Sequence, residues 1–317
     1  MRRTIRAAVV AAMTFGLLIA GTGAAQASPN VADGASPPAL LNARAAAGAA
    51  GGIGFTTSWF TGIIAAGASQ NWAWTPLATT PATAAYVVGF NPSGASTSAT
   101  CPFEMTSSRY VQQPGGGRQF HFTIKNIGSI ACGATILLTM LTGSTIGSTG
   151  SVSPGGSQTH LWTNLPVGMT FLAGLQPSGA TSTSPCQFQV TRTWYVQQPG
   201  AARQFWFTIK NVGAITCQAD LHLANTTGGS TYTTGSLNPG VSKTNTWNNA
   251  NPVTSAYLIG LAPGSAYPDA CQMEVTRLYY RQRINSDGSS ERELSITVKN
   301  VGTAACQAIV YLPRIAA

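Results

Sequence analysis

Six cysteines set the frame for this chain. Cys101, Cys186 and Cys271 stand 85 residues apart, and the cysteines that follow them, Cys132, Cys217 and Cys306, are spaced by 85 and 89. One text recurs around them. The first copy reads Tyr110-Val111-Gln112-Gln113-Pro114-Gly115, then Arg118-Gln119-Phe120-His121-Phe122-Thr123-Ile124-Lys125-Asn126-Ile127-Gly128. The second runs from Tyr195 to Gly200 and from Arg203 to Gly213. The third, more diverged, keeps Tyr280 and the stretch Arg292 to Gly302. A repeat of this length exceeds the roughly 20–50 residues of a solenoid unit and matches a small domain. The spacing predicts three tandem modules, at residues 55–143, 144–228 and 229–317.

Within each module the hydrophobic pattern has a period of two. Phe120, Phe122 and Ile124 alternate with His121, Thr123 and Lys125, and the same holds for Phe205/Phe207/Ile209 and Leu294/Ile296/Val298. Such alternation marks strands with one buried face. Each cysteine shares parity with apolar neighbours, as in Cys101/Phe103/Met105 and Cys132/Ala134/Ile136, so all six are expected to face the core. Only 8% of the residues are charged, about a third of the roughly 25% usual for soluble domains. That is too little for the outer faces of long amphipathic helices. The expectation is an all-β chain of three immunoglobulin-like β-sandwich modules, each with one internal disulfide.

Turn residues suggest the connections. Asn126-Ile127-Gly128 and its copies are expected to close a hairpin. Pro154-Gly155-Gly156 and Asn238-Pro239-Gly240 mark a further turn. Strands that lay consecutively in one sheet would hold the paired cysteines nearly 10 Å apart, whereas a disulfide needs Cα atoms within about 7 Å. The Tyr-Val-Gln-Gln-Pro-Gly segment is therefore expected to cross between sheets and let the disulfide span the core. A bridge between parallel neighbours in one sheet is the alternative. The extra residues of the third copy fall in Asn285 to Ser290, an exposed connection.

The string Phe-x-Phe-Thr-Ile-Lys-Asn-Val-Gly resembles the late strand and N-x-G turn of bacterial extracellular immunoglobulin-like repeats of the cell-adhesion-related kind. It covers about ten residues in each module. The resemblance implies a spacer, adhesin or polymer binder, and carries no functional residue onto this chain.

Arg2, Arg3 and Arg6 precede an apolar stretch from Ala7 to Ala20, and Ala25-Gln26-Ala27 forms an A-x-A pattern. This reads as a signal peptide over residues 1–27. Its apolar run falls short of the roughly 18 residues that suggest a membrane anchor. Residues 28–54, rich in Ala, Gly and Pro, read as a flexible linker. The expected location is secreted and extracellular, with loose attachment to a cell surface as a variant, and with no membrane span. An even cysteine count in an exported chain predicts the pairs Cys101–Cys132, Cys186–Cys217 and Cys271–Cys306.

Chemistry is sparse. The formal charge is +9, with three of the seventeen basic residues in the leader, a mild bias that does not indicate nucleic acid. His121, His160 and His222 occupy no shared position among the modules, and none stands at ligand spacing from a cysteine. No G-x-S-x-G, H-E-x-x-H or P-loop occurs. Glu104 and Glu274 are equivalent, but Gln189 lies between them, so a repeated acid–base pair fails and ion pairing with arginine is expected instead. The reading is a protein without catalytic residues, cofactor or metal. Arg118/Arg203/Arg292 and Lys125/Lys210/Lys299 recur, either as a cationic track for an anionic polymer or, preferred here, as guards of sheet edges.

The remaining candidates are aromatic. Trp162 with Asn164, and Trp247 with Asn248, place an indole beside short hydrogen-bonding side chains, and Trp72 and Trp74 fill the same neighbourhood in the first module. Such a group suits a sugar-stacking site; packing on the disulfide is the competing and preferred role. Trp59, Trp194 and Trp206 lack counterparts and read as surface additions. The functional expectation is a non-catalytic binding or spacer protein that engages cell-wall or extracellular polysaccharide. The alternative is a protein-interaction module or inhibitor acting through loops such as Pro177-Ser178-Gly179.

Overall fold

The structure is a computed structural model that describes residues 39–42, 53–76, 80–251, 253–264 and 269–315. The signal peptide and most of the linker lie outside the described residues. The first repeat contributes β1 (Ala39–Asn42), β2 (Ile53–Ile64), β3 (Ser69–Thr75), β4 (Ala84–Ser93), β5 (Cys101–Gln112), β6 (Arg118–Asn126) and β7 (Cys132–Thr142). The second contributes β8 (Ser144–Ser148), β9 (Ser157–Leu165), β10 (Met169–Ser178), β11 (Cys186–Gln197), β12 (Arg203–Asn211) and β13 (Gln218–Thr227). In the third are β14 (Ser230–Thr233), β15 (Ser242–Trp247), β16 (Ala256–Tyr257), β17 (Gly260–Pro263), β18 (Cys271–Ile284), β19 (Ser290–Asn300), β20 (Ala308–Leu312) and β21 (Arg314–Ile315). No helix occurs among the described residues. Within the expected linker, β1 pairs in parallel with β3.

The first two repeats divide their strands between two sheets, and the third adds a separate two-stranded pair, β16-β21. Outer three-stranded sheets are β2-β7-β4, β10-β13-β8 and β14-β20-β17, while the remaining long strands join one ten-stranded sheet. Cys101 of β5 bonds to Cys132 of β7, joining the large sheet to an outer one, and Cys186 of β11 and Cys271 of β18 bond to Cys217 and Cys306, which stand just ahead of the outer-sheet strands β13 and β20. The alternation read from the sequence supplies the filling. Phe103, Phe120, Phe122 and Ile124 of the first repeat are buried with Phe90, Ile136 and Leu138, and Phe188, Phe205, Phe207 and Ile209 take the matching places in the second.

Two expected connections are exchanged. The Gln-Pro-Gly segment closes a hairpin: β5 pairs antiparallel with β6, from Gln112 opposite Arg118 to Phe103 opposite Asn126. Gln113 N–H donates to the Gly117 carbonyl, and Gly115 adopts a φ of 87° that a residue with a side chain would avoid. The Asn-x-Gly segment instead crosses between sheets. Its asparagine is fully buried. Asn126 Nδ2 donates to the carbonyls of Ile64 (2.9 Å) and Ile130 (2.8 Å), and its Oδ1 accepts from Gly128 N–H (2.9 Å). Asn211 and Asn300 repeat these three bonds with Val152, Ile215 and Gly213, and with Leu237, Ala304 and Gly302. The glycine answers a need for space: a Cβ on Gly128 would stand 2.6 Å from Pro102 Cδ. Asn-x-Gly thus has the composition of a hairpin turn but serves as a buried clamp on a crossover.

The repeats are joined in a ring, not strung as an open array. The start of β11 (Cys186–Phe188) pairs with the end of β5 (Tyr110–Gln112), the start of β18 (Cys271–Glu274) with the end of β11 (Trp194–Gln197), and the start of β5 (Cys101–Glu104) with the end of β18 (Tyr279–Gln282). The recurrent arginines reinforce this closure. Arg203, 2% exposed, donates to the Leu261 carbonyl of the third repeat and to Pro166 and Met169 of its own. Arg292, 3% exposed, reaches the Phe90 carbonyl of the first repeat as well as Ala250 and Ser255. These two arginines are neither a cationic track nor edge guards, because their buried guanidinium groups donate to backbone carbonyls of their own and of a neighbouring repeat.

Two outcomes test this account. Asn211→Ala removes three buried hydrogen bonds and is expected to cost about 2–4 kcal/mol, read as a lower urea midpoint with an unchanged slope. Replacing Cys186 and Cys217 together by Ala opens a loop with a sequence separation of 31. On the chain-entropy argument this lowers unfolding free energy by about 3–4 kcal/mol.

Candidate functional site

The ten-stranded sheet has a core face and an outward face, and the outward face collects the chemistry. On β11 and β12, Trp194 lies directly opposite Trp206. Trp206 is opposite Leu161 on β9, Trp194 opposite Glu274 on β18, and Glu274 opposite Lys299 on β19. Residues directly opposite share a face, so Leu161, Trp206, Trp194, Glu274 and Lys299 form one row across five strands. The two indoles stack, with centroids 5.6 Å apart and planes inclined by 21°. Arg192 lies over Trp194 with its guanidinium carbon 4.6 Å from the ring centroid, and its Nη2 is 2.8 Å from Glu274 Oε2.

Polar groups surround the indoles. Trp206 Nε1 donates to Gln204 Oε1 at 2.9 Å, and the hydroxyls of Thr159 and Thr208 hydrogen-bond to each other at 3.0 Å on the next row. The equivalent row of the third repeat replaces tryptophan by Tyr279 and Ser295. Arg277 lies 5.2 Å over Tyr279 and pairs with Glu104 at 2.7 Å. Arg192 and Arg277 are 43% and 49% exposed, so each pair contributes at most about 1 kcal/mol to folding. Glu104 and Glu274 thus meet arginines of neighbouring repeats, as the uneven repetition of carboxylates suggested.

In the first repeat the same positions hold Arg109 and His121. Arg109 Nη2 is 3.4 Å from His121 Nδ1, and Gln119 Oε1 is 2.8 Å from its Nε2. Burial, with Arg109 beside the ring, pulls the His121 pKa down to about 4. The three versions of this site are therefore aromatic, mixed and basic.

The tryptophans named from the sequence divide. Trp72 and Trp74 are 5% and 1% exposed, and Trp74 packs against Phe55 and Trp59. They belong to the core, where no ring face is open to a ligand. Trp247 on β15 is half-buried against the core, beside the exposed Asn248. Trp162 on β9 is 41% exposed but lies opposite Phe205, on the other side of the strand from Leu161. The Asn164 side chain lies outside the described residues. Trp72, Trp74, Trp162, Trp247 and Asn248 form no single cluster. The aromatic row was hidden in the sequence by the turn assignment: once Gln-Pro-Gly is the hairpin, counting back from it sets Trp194 opposite Trp206.

Among the described residues no group of three or more His, Cys, Asp or Glu side chains could hold a metal, and no helix is long and apolar enough to cross a membrane. The histidines carry a pH signature. All three have pKa values lowered, chiefly by burial. Each binds its proton less readily in the fold than in the unfolded chain, which takes up protons below about pH 6.5. Stability is expected to fall as pH drops from about 6.5 to about 4, and His121→Gln should flatten the decline when urea midpoints are followed across that range. Comparison with known proteins finds no matching family model, no matching curated protein and no matching solved structure.

Proposed function

We propose that this chain is an extracellular, non-catalytic binding protein, and that the row centred on Trp194 and Trp206 engages a polysaccharide. The observation that carries the reading is the stacked indole pair on an open sheet face, ringed by Gln204, Thr208 and Thr159. An apolar ring face beside short hydroxyl and amide groups suits the apolar face and equatorial hydroxyls of a sugar. Export is supported by the basic and apolar leader with its A-x-A pattern. Three disulfides and the absence of free cysteine among the described residues suit an oxidising compartment. Each repeat is read as an immunoglobulin-like sandwich, on the strength of its two facing sheets and the disulfide between them. The likeness of its Phe-x-Phe-Thr-Ile-Lys-Asn-Val-Gly string to adhesion-related repeats fits that reading.

A protein partner is the second reading, favoured by one observation. Strand β9 is an edge of the large sheet, has no charged residue from Ser157 to Leu165, and exposes Leu161 and Trp162 at 44% and 41%. Such an edge accepts an added strand. Retention on a panel of immobilised cell-wall and extracellular glycans separates the two. Trp206→Ala is expected to weaken glycan retention about tenfold, the equivalent of about 1.4 kcal/mol, while Trp162→Ala leaves it unchanged. Absence of retention on every glycan, with capture of a protein partner that Trp162→Ala abolishes, would favour the edge strand.

A further inference from the structure

The ring leaves a cavity at its centre. The strands β5, β11 and β18 pair with one another only near their ends. Their middle segments each carry a bulge, between Met105 and Ser107, Val190 and Arg192, and Val275 and Arg277. A bulge bends its strand and raises local twist, and the three bends leave a cavity of about 310 Å³ among the repeats. Equivalent positions line it: Met105, Val190 and Val275 from the long strands, and Val88, Ala173 and Ile259 from the facing segments. Among the described residues no charged side chain lines it. Ser108 and Thr193 also line it.

We propose that this cavity is a binding site for an uncharged, mainly apolar small molecule carrying one hydrogen-bonding group. Engineered apolar cavities of about 150 Å³ take up benzene, so the volume here suits a ligand of roughly two fused or linked rings. The absence of charge at the wall excludes an ionised ligand, which would lose hydration without a partner. Among the described lining residues, Ser108 and Thr193 carry the hydroxyls other than those of the tyrosines. Tyr110 and Tyr195 already accept hydrogen bonds from Tyr86 N–H and Phe171 N–H. Entry is provided on one side. Met105 is 38% exposed, and with Val88, Val275 and Leu278 it also lines a neighbouring cleft of about 440 Å³ bounded by Glu104 and Arg277. Methionine is unbranched and adapts readily to different occupants.

The test uses the disulfide-bonded protein and N-phenyl-1-naphthylamine, an uncharged probe that fluoresces when removed from water. Saturable enhancement with one probe per chain is expected. Val190→Phe, which fills the cavity, should weaken binding at least tenfold, and Met105→Trp, which narrows the exposed side, should do the same. Trp206→Ala should leave probe binding unchanged, which keeps this site distinct from the polysaccharide row. Folding of each variant is checked by near-ultraviolet circular dichroism, and if Val190→Phe does not fold, Met105→Trp decides. The proposal is overturned by a lack of saturable enhancement in the native protein, by equal affinity in the folded variants, or by loss of the signal in Trp206→Ala.

Discussion

The architecture depends on the cyclic pairing of β5, β11 and β18, each of which begins at the first cysteine of its repeat. Three or four residue pairs at each junction join the repeats into one ten-stranded sheet. These short ladders put the backbone of every repeat in contact with the other two. They also fix the parity of each long strand. Phe103, Phe188 and Met273 must point into their own cores, and Glu104 and Glu274 must point to the common outward face. The inter-repeat ion pairs, the aromatic row and the central cavity all follow from that arrangement.

Buried polar groups hold the closure in register. Tyr110, Tyr195 and Tyr280 accept a backbone N–H from Tyr86, Phe171 and Tyr257 respectively. Burial raises the pKa of Tyr195 and Tyr280 to about 12 and that of Tyr110 further, so all three stay protonated. Arg203 and Arg292 lie over the Tyr195 and Tyr280 rings at 5.3 and 4.5 Å while bonding to carbonyls of the next repeat. A guanidinium carries several donors in a planar fork and can satisfy carbonyls from two repeats at once. Lysine, with a single ammonium centre, could not do this in the same geometry.

The repetition is uneven between the buried clamps and the outward face. Asparagine clamps, disulfides and tyrosines recur in all three repeats, while the core phenylalanines of the first two become Met273, Leu294 and Ile296 in the third. The outward row does not recur: Trp194 and Trp206 in the second repeat correspond to Arg109 and His121 in the first and to Tyr279 and Ser295 in the third. A symmetric backbone therefore presents three chemically different surfaces. The sparse charge of the chain is spent largely on this face and on the buried arginines.

Much of the local structure was legible in residue order, because a strand with one buried face writes a period of two into its sequence. The strand positions, the inward cysteines and the partner of each cysteine follow from that period and from the 85-residue spacing. The two turns were misread because Asn-x-Gly and Gln-Pro-Gly share turn composition, and burial of the asparagine side chain, not the turn residues, separates them. Arginine burial, ring closure and the bulged centre could not be read at all. Ring closure rests on pairings between residues 74 or more positions apart, and arginine burial on carbonyls of another repeat; no local pattern records them. Residue order dictates what each repeat builds, whereas the closure of three repeats on one another is set in three dimensions, by hydrogen bonds between strand ends that leave no side-chain signature.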